Sequence, residues 1–278
     1  MDDLSIALDR IAAALERLAP PPERADLSAA PAFIWSAGGL APAPQVPRAP
    51  LDLLLEVDEQ KAKLMANTRR FAAGAPANNA LLWGTRGTGK SALVKAVHAA
   101  VAAEAADLKL VEAATQDLAR LGSLLAALRA QASPVILFLD DLSFQGDEVA
   151  LKALKPALDG GLASGAGRVV VYATSNRRHL VARDARENSD DLMWRDTAEE
   201  HLALADRFGL WLGFHPIDQD GYLRIVKAYA DRLDLKMKAA DLEREALLWS
   251  RTRAARSGRT AWQFILDVAG RLDKPVAF

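Results

Sequence analysis

Residues 84–91 read Gly84-Thr85-Arg86-Gly87-Thr88-Gly89-Lys90-Ser91, and this octapeptide decides the fold. It matches G-x-x-x-x-G-K-[ST] in full, the pattern of a loop whose backbone N–H groups cradle phosphate. Glycines let those N–H groups turn inward, and the N-terminus of the helix that follows adds partial positive charge. Lys90 is placed to reach the β- and γ-phosphates of a nucleoside triphosphate, and the Ser91 hydroxyl to ligate Mg²⁺. The bland alternative is a glycine-rich turn that holds no ligand.

The flanks suit the loop. Ala80 to Trp83 is a short apolar strand, and Ser91 to Ala105 has helical character. Four further apolar runs read as strands: Leu108 to Val111, Val135 to Leu139, Val169 to Tyr172 and Leu210 to Phe214. Helical stretches at Gln116 to Gln131, Val149 to Leu158 and Ala198 to Phe208 separate them. Near-continuous apolar strands alternating with helices predict a parallel sheet covered on both faces. The expected architecture is an α/β P-loop NTPase with a five-stranded parallel sheet over residues 51–215, opened by helical spacing from Leu53 to Phe71 with Gly74 as its cap. Beyond Pro216 strand signals stop, and residues 216–278 read as a small all-helical lid. Residues 20–50, rich in Pro and Ala, read as a linker without a core. Residues 1–19 place Leu4, Leu8, Ile11, Leu15 and Leu18 on one helical face, which suits internal docking, oligomerisation or a protein partner.

The strand Val135 to Leu139 runs into Asp140-Asp141. A carboxylate at the end of a neighbouring strand is what a phosphate loop needs to hold Mg²⁺ through water. Asp140 is the expected metal partner, and Asp141 the base that orients the attacking water. Two solvated loop acids are the alternative.

The phosphate loop, the strand closing on paired acids, and a later strand ending Tyr172-Ala173-Thr174-Ser175-Asn176 together resemble an AAA+ ATPase, over roughly residues 50 to 278. The wording LLWGTRGTGKSALVKA, ILFLDDLSF and YATSNRRHLV is closer still to a bacterial family of stand-alone AAA+ ATP-binding proteins classed as a domain of unknown function. The resemblance implies sensor-1 character for Asn176, with Thr174 second. It implies an arginine finger at Arg207, reaching the nucleotide of a neighbouring copy, and a sensor-2 contact from Arg259, with Arg256 second. Two departures follow. Many AAA+ motors carry Glu where this chain has Asp141, a shorter side chain suited to slower hydrolysis. The stretch Ala113 to Leu128 has no aromatic residue, which disfavours substrate threading by a pore loop.

The whole chain has 278 residues, 35 Lys+Arg against 36 Asp+Glu, and no cysteine. That excludes disulfides, thiolate metal sites and cysteine nucleophiles, and disfavours a polycationic coat. Met1-Asp2-Asp3 is acidic where a signal peptide is basic, and no apolar run is long enough for a membrane span, so a cytoplasmic protein is expected. The four histidines, His98, His179, His201 and His215, show no metal-ligand spacing. The expected activity is Mg²⁺-dependent ATP binding and hydrolysis by a homo-oligomeric switch, with a protein partner addressed through residues 1–19. An ATP-gated nucleic-acid adaptor of helicase-loader type is the alternative, drawing on Arg251, Arg253, Arg256 and Arg259. A small-molecule P-loop kinase fits less well.

Overall fold

A computed structural model describes Arg10 and residues 26–36, 39–43, 46, 49–105, 107–142, 154–155, 158, 168–176, 204 and 206–276. The expected helix over residues 1–19 lies outside the described residues apart from Arg10, as do most of the expected helices 149–158 and 198–208.

The strands are β1 (Ala32–Ser36), β2 (Gly39–Pro42), β3 (Ala80–Gly84), β4 (Lys109–Ala113), β5 (Val135–Leu139), β6 (Val169–Ser175) and β7 (Leu210–Phe214). They form one sheet in the order β2-β1-β4-β5-β6-β3-β7, parallel except for β2. All five residues of β5 are fully buried, as a central strand covered on both faces must be. The chain leaves β3 toward β4 on one side and returns as β7 on the other. Ligands collect at the carboxyl ends of strands beside such a switch.

Seven strands replace the expected five. The stretch read as a linker supplies β1 and β2, and β1 extends the sheet by parallel pairing with β4. Phe33 and Trp35 alternate into the core at 2% and 0% exposure. The flanking Ala, Pro and Gly masked this five-residue strand, because an average over residues 20–50 dilutes two aromatic anchors.

Helices α1 (Asp58–Ala72) and α2 (Lys90–Glu104) cover one face of the sheet. Helix α3 (Leu121–Arg129) covers the other through Leu121, Leu124, Leu125 and Leu128. The expected helix 116–131 divides into a 3-10 turn, Thr115–Arg120, and α3. The helical spacing from Leu53 also divides: Leu51–Leu53 is a 3-10 turn, and α1 starts only at Asp58. Gly74, at φ 76°, follows α1, and the Gly74 and Ala75 N–H groups close back onto the Phe71 and Arg70 carbonyls.

A buried polar cluster sets β6 against α1. The Tyr172 hydroxyl pairs with Thr68 Oγ1 at 2.8 Å and accepts from Asn67 Nδ2 at 3.1 Å. Asn67 also bonds both backbone groups of Asn78, at the entrance to β3. Asn79 Oδ1 accepts the Val171 N–H at 2.8 Å, so β3 and β6 start in fixed register.

After β7 come α4 (Gln219–Arg232), α5 (Ala239–Thr252) and α6 (Gly258–Arg271). Asp218 and Ser257 cap α4 and α6 through their side-chain oxygens. Tyr222, Ile225, Val226, Phe264 and Ile265 form a separate core for these helices. Leu53 joins it from the far side of the chain, while Leu54 and Val57 pack into the body.

Candidate functional site

The phosphate loop joins β3 to α2. Gly84 closes β3 at φ 128°, and a Cβ there would stand 2.0 Å from the Phe214 carbonyl oxygen. Only glycine fits, because β7 passes directly alongside and Thr85 N–H bonds that same oxygen at 2.9 Å. Gly87, at φ 80°, passes its carbonyl to the Arg259 N–H at 3.2 Å, which ties the loop to the start of α6. Gly89, at φ 95°, is the N-cap of α2. Thr88 Oγ1 donates to the Thr85 carbonyl at 2.8 Å and braces the turn from inside.

Lys90 is 5% exposed, and its ammonium spends three donors at once. They go to the Gly84 carbonyl at 3.0 Å, the Thr85 carbonyl at 2.9 Å and Asn176 Oδ1 at 3.0 Å. Burial pulls the Lys90 pKa below its usual value; Asp141 and Asp140 oppose that pull, and Arg259 reinforces it.

The acids sit opposite, at the end of β5. Ser91 Oγ donates to Asp140 Oδ1 at 2.5 Å, and Thr174 Oγ1 donates to the same oxygen at 2.6 Å. Asn176 donates its amide to Asp141 Oδ1 while its own oxygen takes Lys90. Lys90, Ser91, Asp140, Asp141, Thr174 and Asn176 therefore form one continuous hydrogen-bonded chain across the ends of β3, β5 and β6. A Ser91 hydroxyl that gives its proton to Asp140 keeps its lone pairs for a cation, and the set is all hard oxygen, the chemistry Mg²⁺ takes.

This chain lines one part of a cavity of about 530 Å³. Arg86 and Arg259 also line it, both exposed. Much of the remaining lining is apolar: Leu53, Leu54 and Leu55 come from the segment before α1, Ile217 and Tyr229 from around α4, and Trp262 from α6. The segment before α1 is held to α4 by ion pairs, Glu56 with Arg224 at 2.8 Å and Asp52 with Arg232 at 3.2 Å.

The structure thus brings together Gly84 through Ser91, Asp140, Asp141, Asn176 and Arg259. It does not bring in Arg207. That residue precedes β7, whose Leu210 pairs with Ala80 and whose Phe214 pairs with Gly84. Its place three residues before Leu210 sets it at the end of β7 away from the loop. Arg207 is half-buried and engaged within its own chain. Arg256 is exposed and does not line the cavity. Trp83 is half-buried and Trp211 is 41% exposed, as suits a strand at the edge of the described sheet. Sequence reasoning missed the apolar lining of the cavity entirely, since its residues look like ordinary core in three separate segments.

A phosphate loop on β3, acids on β5 and the intervening β6 carrying a polar side chain to both define a P-loop NTPase fold of the AAA+ type. The chain belongs to the family described as "Protein of unknown function (DUF815)", whose model matches residues 28–272. Among solved structures, it is similar to the ORC1 protein of Aeropyrum pernix in complex with DNA, at 15% identity and TM-score 0.53, over 80% of this chain and 65% of that one. A single-residue variant of Thermotoga maritima RuvB is similar at 17% identity and TM-score 0.50, over 82% of this chain and 74% of that one. The FIGL-1 AAA domain in complex with ADP aligns at 16% identity and TM-score 0.48, covering 84% and 88%. At these identities the likeness to the ORC1 and RuvB structures concerns the fold alone. No curated protein sequence matches the chain.

Proposed function

We propose that this protein binds Mg²⁺·ATP in the cavity between the sheet and the three C-terminal helices, and hydrolyses it as an oligomeric switch acting on a protein partner. The observation that carries the reading is the unbroken chain from Lys90 to Ser91 through both acids. The loop N–H groups and the α2 N-terminus would take the β-phosphate, and Lys90 would exchange Asn176 and carbonyl oxygens for phosphate oxygens. Ser91 and Asp140 would hold Mg²⁺, which neutralises charge on the β- and γ-oxygens when bound. Asp141 would orient water, and Asn176 would stand between that carboxylate and the γ-phosphate. Arg259, on the helix already bonded to Gly87, makes α6 the lid over the phosphates.

The apolar lining suits adenine better than guanine: adenine would bring one donor group, N6–H₂, against Leu53, Leu54, Leu55 and Ile217, where guanine would bring two, N1–H and N2–H₂, and buried donors without acceptors are costly. Arg207, on the far side of its own sheet, could act only on a neighbouring copy.

A second reading, ATP-gated contact with nucleic acid, draws on Arg251, Arg253 and Arg256. All three are exposed around the turn between α5 and α6, and none has an ion pair among the described residues. The Arg253 guanidinium carbon sits over the Trp249 ring, 3.5 Å from its centroid. Phosphate contacts there would show as steep salt dependence of single-stranded DNA binding. No helix among the described residues is long and apolar enough to cross a membrane.

The deciding experiment is Mg²⁺-dependent ATP turnover by wild type, by Lys90→Ala and Arg207→Ala, and by the two variants mixed. Each variant alone should lose turnover, by about 10³-fold or more for the finger. Mixing should restore part of it, because one variant retains the site and the other the finger. Arg207→Ala turning over like wild type would overturn action between copies, and wild type without turnover would overturn the enzyme reading.

A further inference from the structure

We infer that Thr174 is a positioning residue that sets both acids for the cation, resting on the proposal that Ser91 and Asp140 hold Mg²⁺. Thr174 is 2% exposed near the end of β6, the strand between the phosphate loop's strand and the acids' strand. A hydroxyl has one proton to give and two lone pairs to receive with. Here the proton goes to Asp140 Oδ1 at 2.6 Å, and a lone pair takes the Asp141 N–H at 2.8 Å. The Thr174 carbonyl takes the Leu142 N–H at 2.7 Å. The turn after β5 is thereby fastened to one residue at three points.

Two consequences follow from this geometry. Ser91 and Thr174 both donate to Oδ1 of Asp140, which fills that oxygen and leaves Oδ2 as the one available to metal-bound water. Asp141 is held at φ 56°, a left-handed conformation that costs energy for a residue with a Cβ, and the bond from its N–H to Thr174 helps to keep it there. That backbone twist carries the Asp141 carboxylate to Asn176 and thus toward Lys90. Thr174 lines the cavity, but its hydroxyl is engaged by Asp140 and the Asp141 N–H, so it acts through the two acids.

Thr174→Val keeps the branched shape and removes the hydroxyl; Thr174→Ser keeps the hydroxyl. A fluorescent ATP analogue is titrated into each full-length protein in EDTA and across a Mg²⁺ series. Loss of an outer-shell partner lowers metal affinity about 10- to 100-fold in general. Thr174→Val should raise the half-saturating Mg²⁺ by that factor while nucleotide binding in EDTA stays within about twofold of wild type. Thr174→Ser should return it to within a few-fold of wild type, and in an Asp140→Asn background the valine change should have no further effect on Mg²⁺. If the valine variant does not fold by thermal melt, Thr174→Ala is read in the same titration. A folded Thr174→Val with wild-type Mg²⁺ dependence overturns the inference. Equal weakening in EDTA and in Mg²⁺ also overturns it, because that outcome marks a packing role alone. Wild type that binds no nucleotide in either condition overturns the functional proposal itself, a result distinct from both.

Discussion

The polar and the apolar parts of the cavity lining are built in opposite ways. The phosphate side is polar and centred on one contiguous stretch: eight consecutive residues make the loop, and Asp140, Asp141, Thr174 and Asn176 join it from the ends of β5 and β6. The apolar part draws on the segment before α1, on Ile217 and Tyr229 around α4, and on Trp262 of α6, which are far apart in sequence. Oriented backbone amides can be arranged by local glycines, because left-handed φ values at Gly87 and Gly89 suffice to turn them. An apolar wall needs side chains from several elements to converge, and only packing brings that about.

This contrast can be broken by experiment. Lys90→Ala should have the largest effect: ATP affinity falls about a hundredfold or more, while adenosine affinity hardly changes, since charged hydrogen bonds of ~1.5–3 kcal/mol each are lost only with phosphate. Calorimetric titration of both ligands checks this, and an equal loss for adenosine would mean the two parts are not separable. Ile217→Ala should cost about tenfold, for ATP and adenosine alike and with or without Mg²⁺, because it removes apolar contact worth ~1–2 kcal/mol. A loss confined to ATP would put Ile217 on the phosphate side instead.

The smallest effect compares the sheet body with the helical unit. All three tyrosines of the chain are held above the ordinary phenol range by burial, Tyr172 in the body and Tyr222 and Tyr229 in the helices. Tyr222 is pushed up to about 12 from 10.0. Between those values the folded chain holds a proton that the unfolded chain has released, so this contribution to stability is complete below pH 10 and fades as pH rises toward about 12. Phenolate absorbance should therefore appear together with loss of the circular dichroism signal. A tyrosine that ionises near pH 10 with the fold intact would contradict its packing.

Much of the site was legible in the chain. The octapeptide at 84–91 and Asp140-Asp141 after five apolar residues meet at the ends of parallel strands, and Asn176, expected there only from the family resemblance, stands beside them. Strands β3 to β6 were legible because each is an apolar run largely buried on both faces, and β7 as an apolar run at the edge of the sheet. The hairpin β1–β2 was not: β2 is a short edge strand of mixed character, and the two aromatics of β1 stand among alanines and prolines that dilute them. Thr174 was legible only as an alternative to Asn176. Its bonds to Asp140 and Asp141 cross between strands more than thirty residues apart, and strand order is not written in any local pattern.

The amino-acid sequence by itself determined that a phosphate loop exists, which strand precedes it, and that acids end another strand. These are local facts: glycine permits left-handed backbone, an apolar run of five makes a buried strand, and a helix start follows a loop. Tertiary structure alone decided that β6 lies between β3 and β5, so that Thr174 and Asn176 bridge the acids to Lys90. It also decided that Arg207 falls at the far end of the sheet, and that Leu53 joins the helical core while Leu54 joins the body. Each of those outcomes depends on which surfaces pack together, and packing is a property of the whole set of side chains at once.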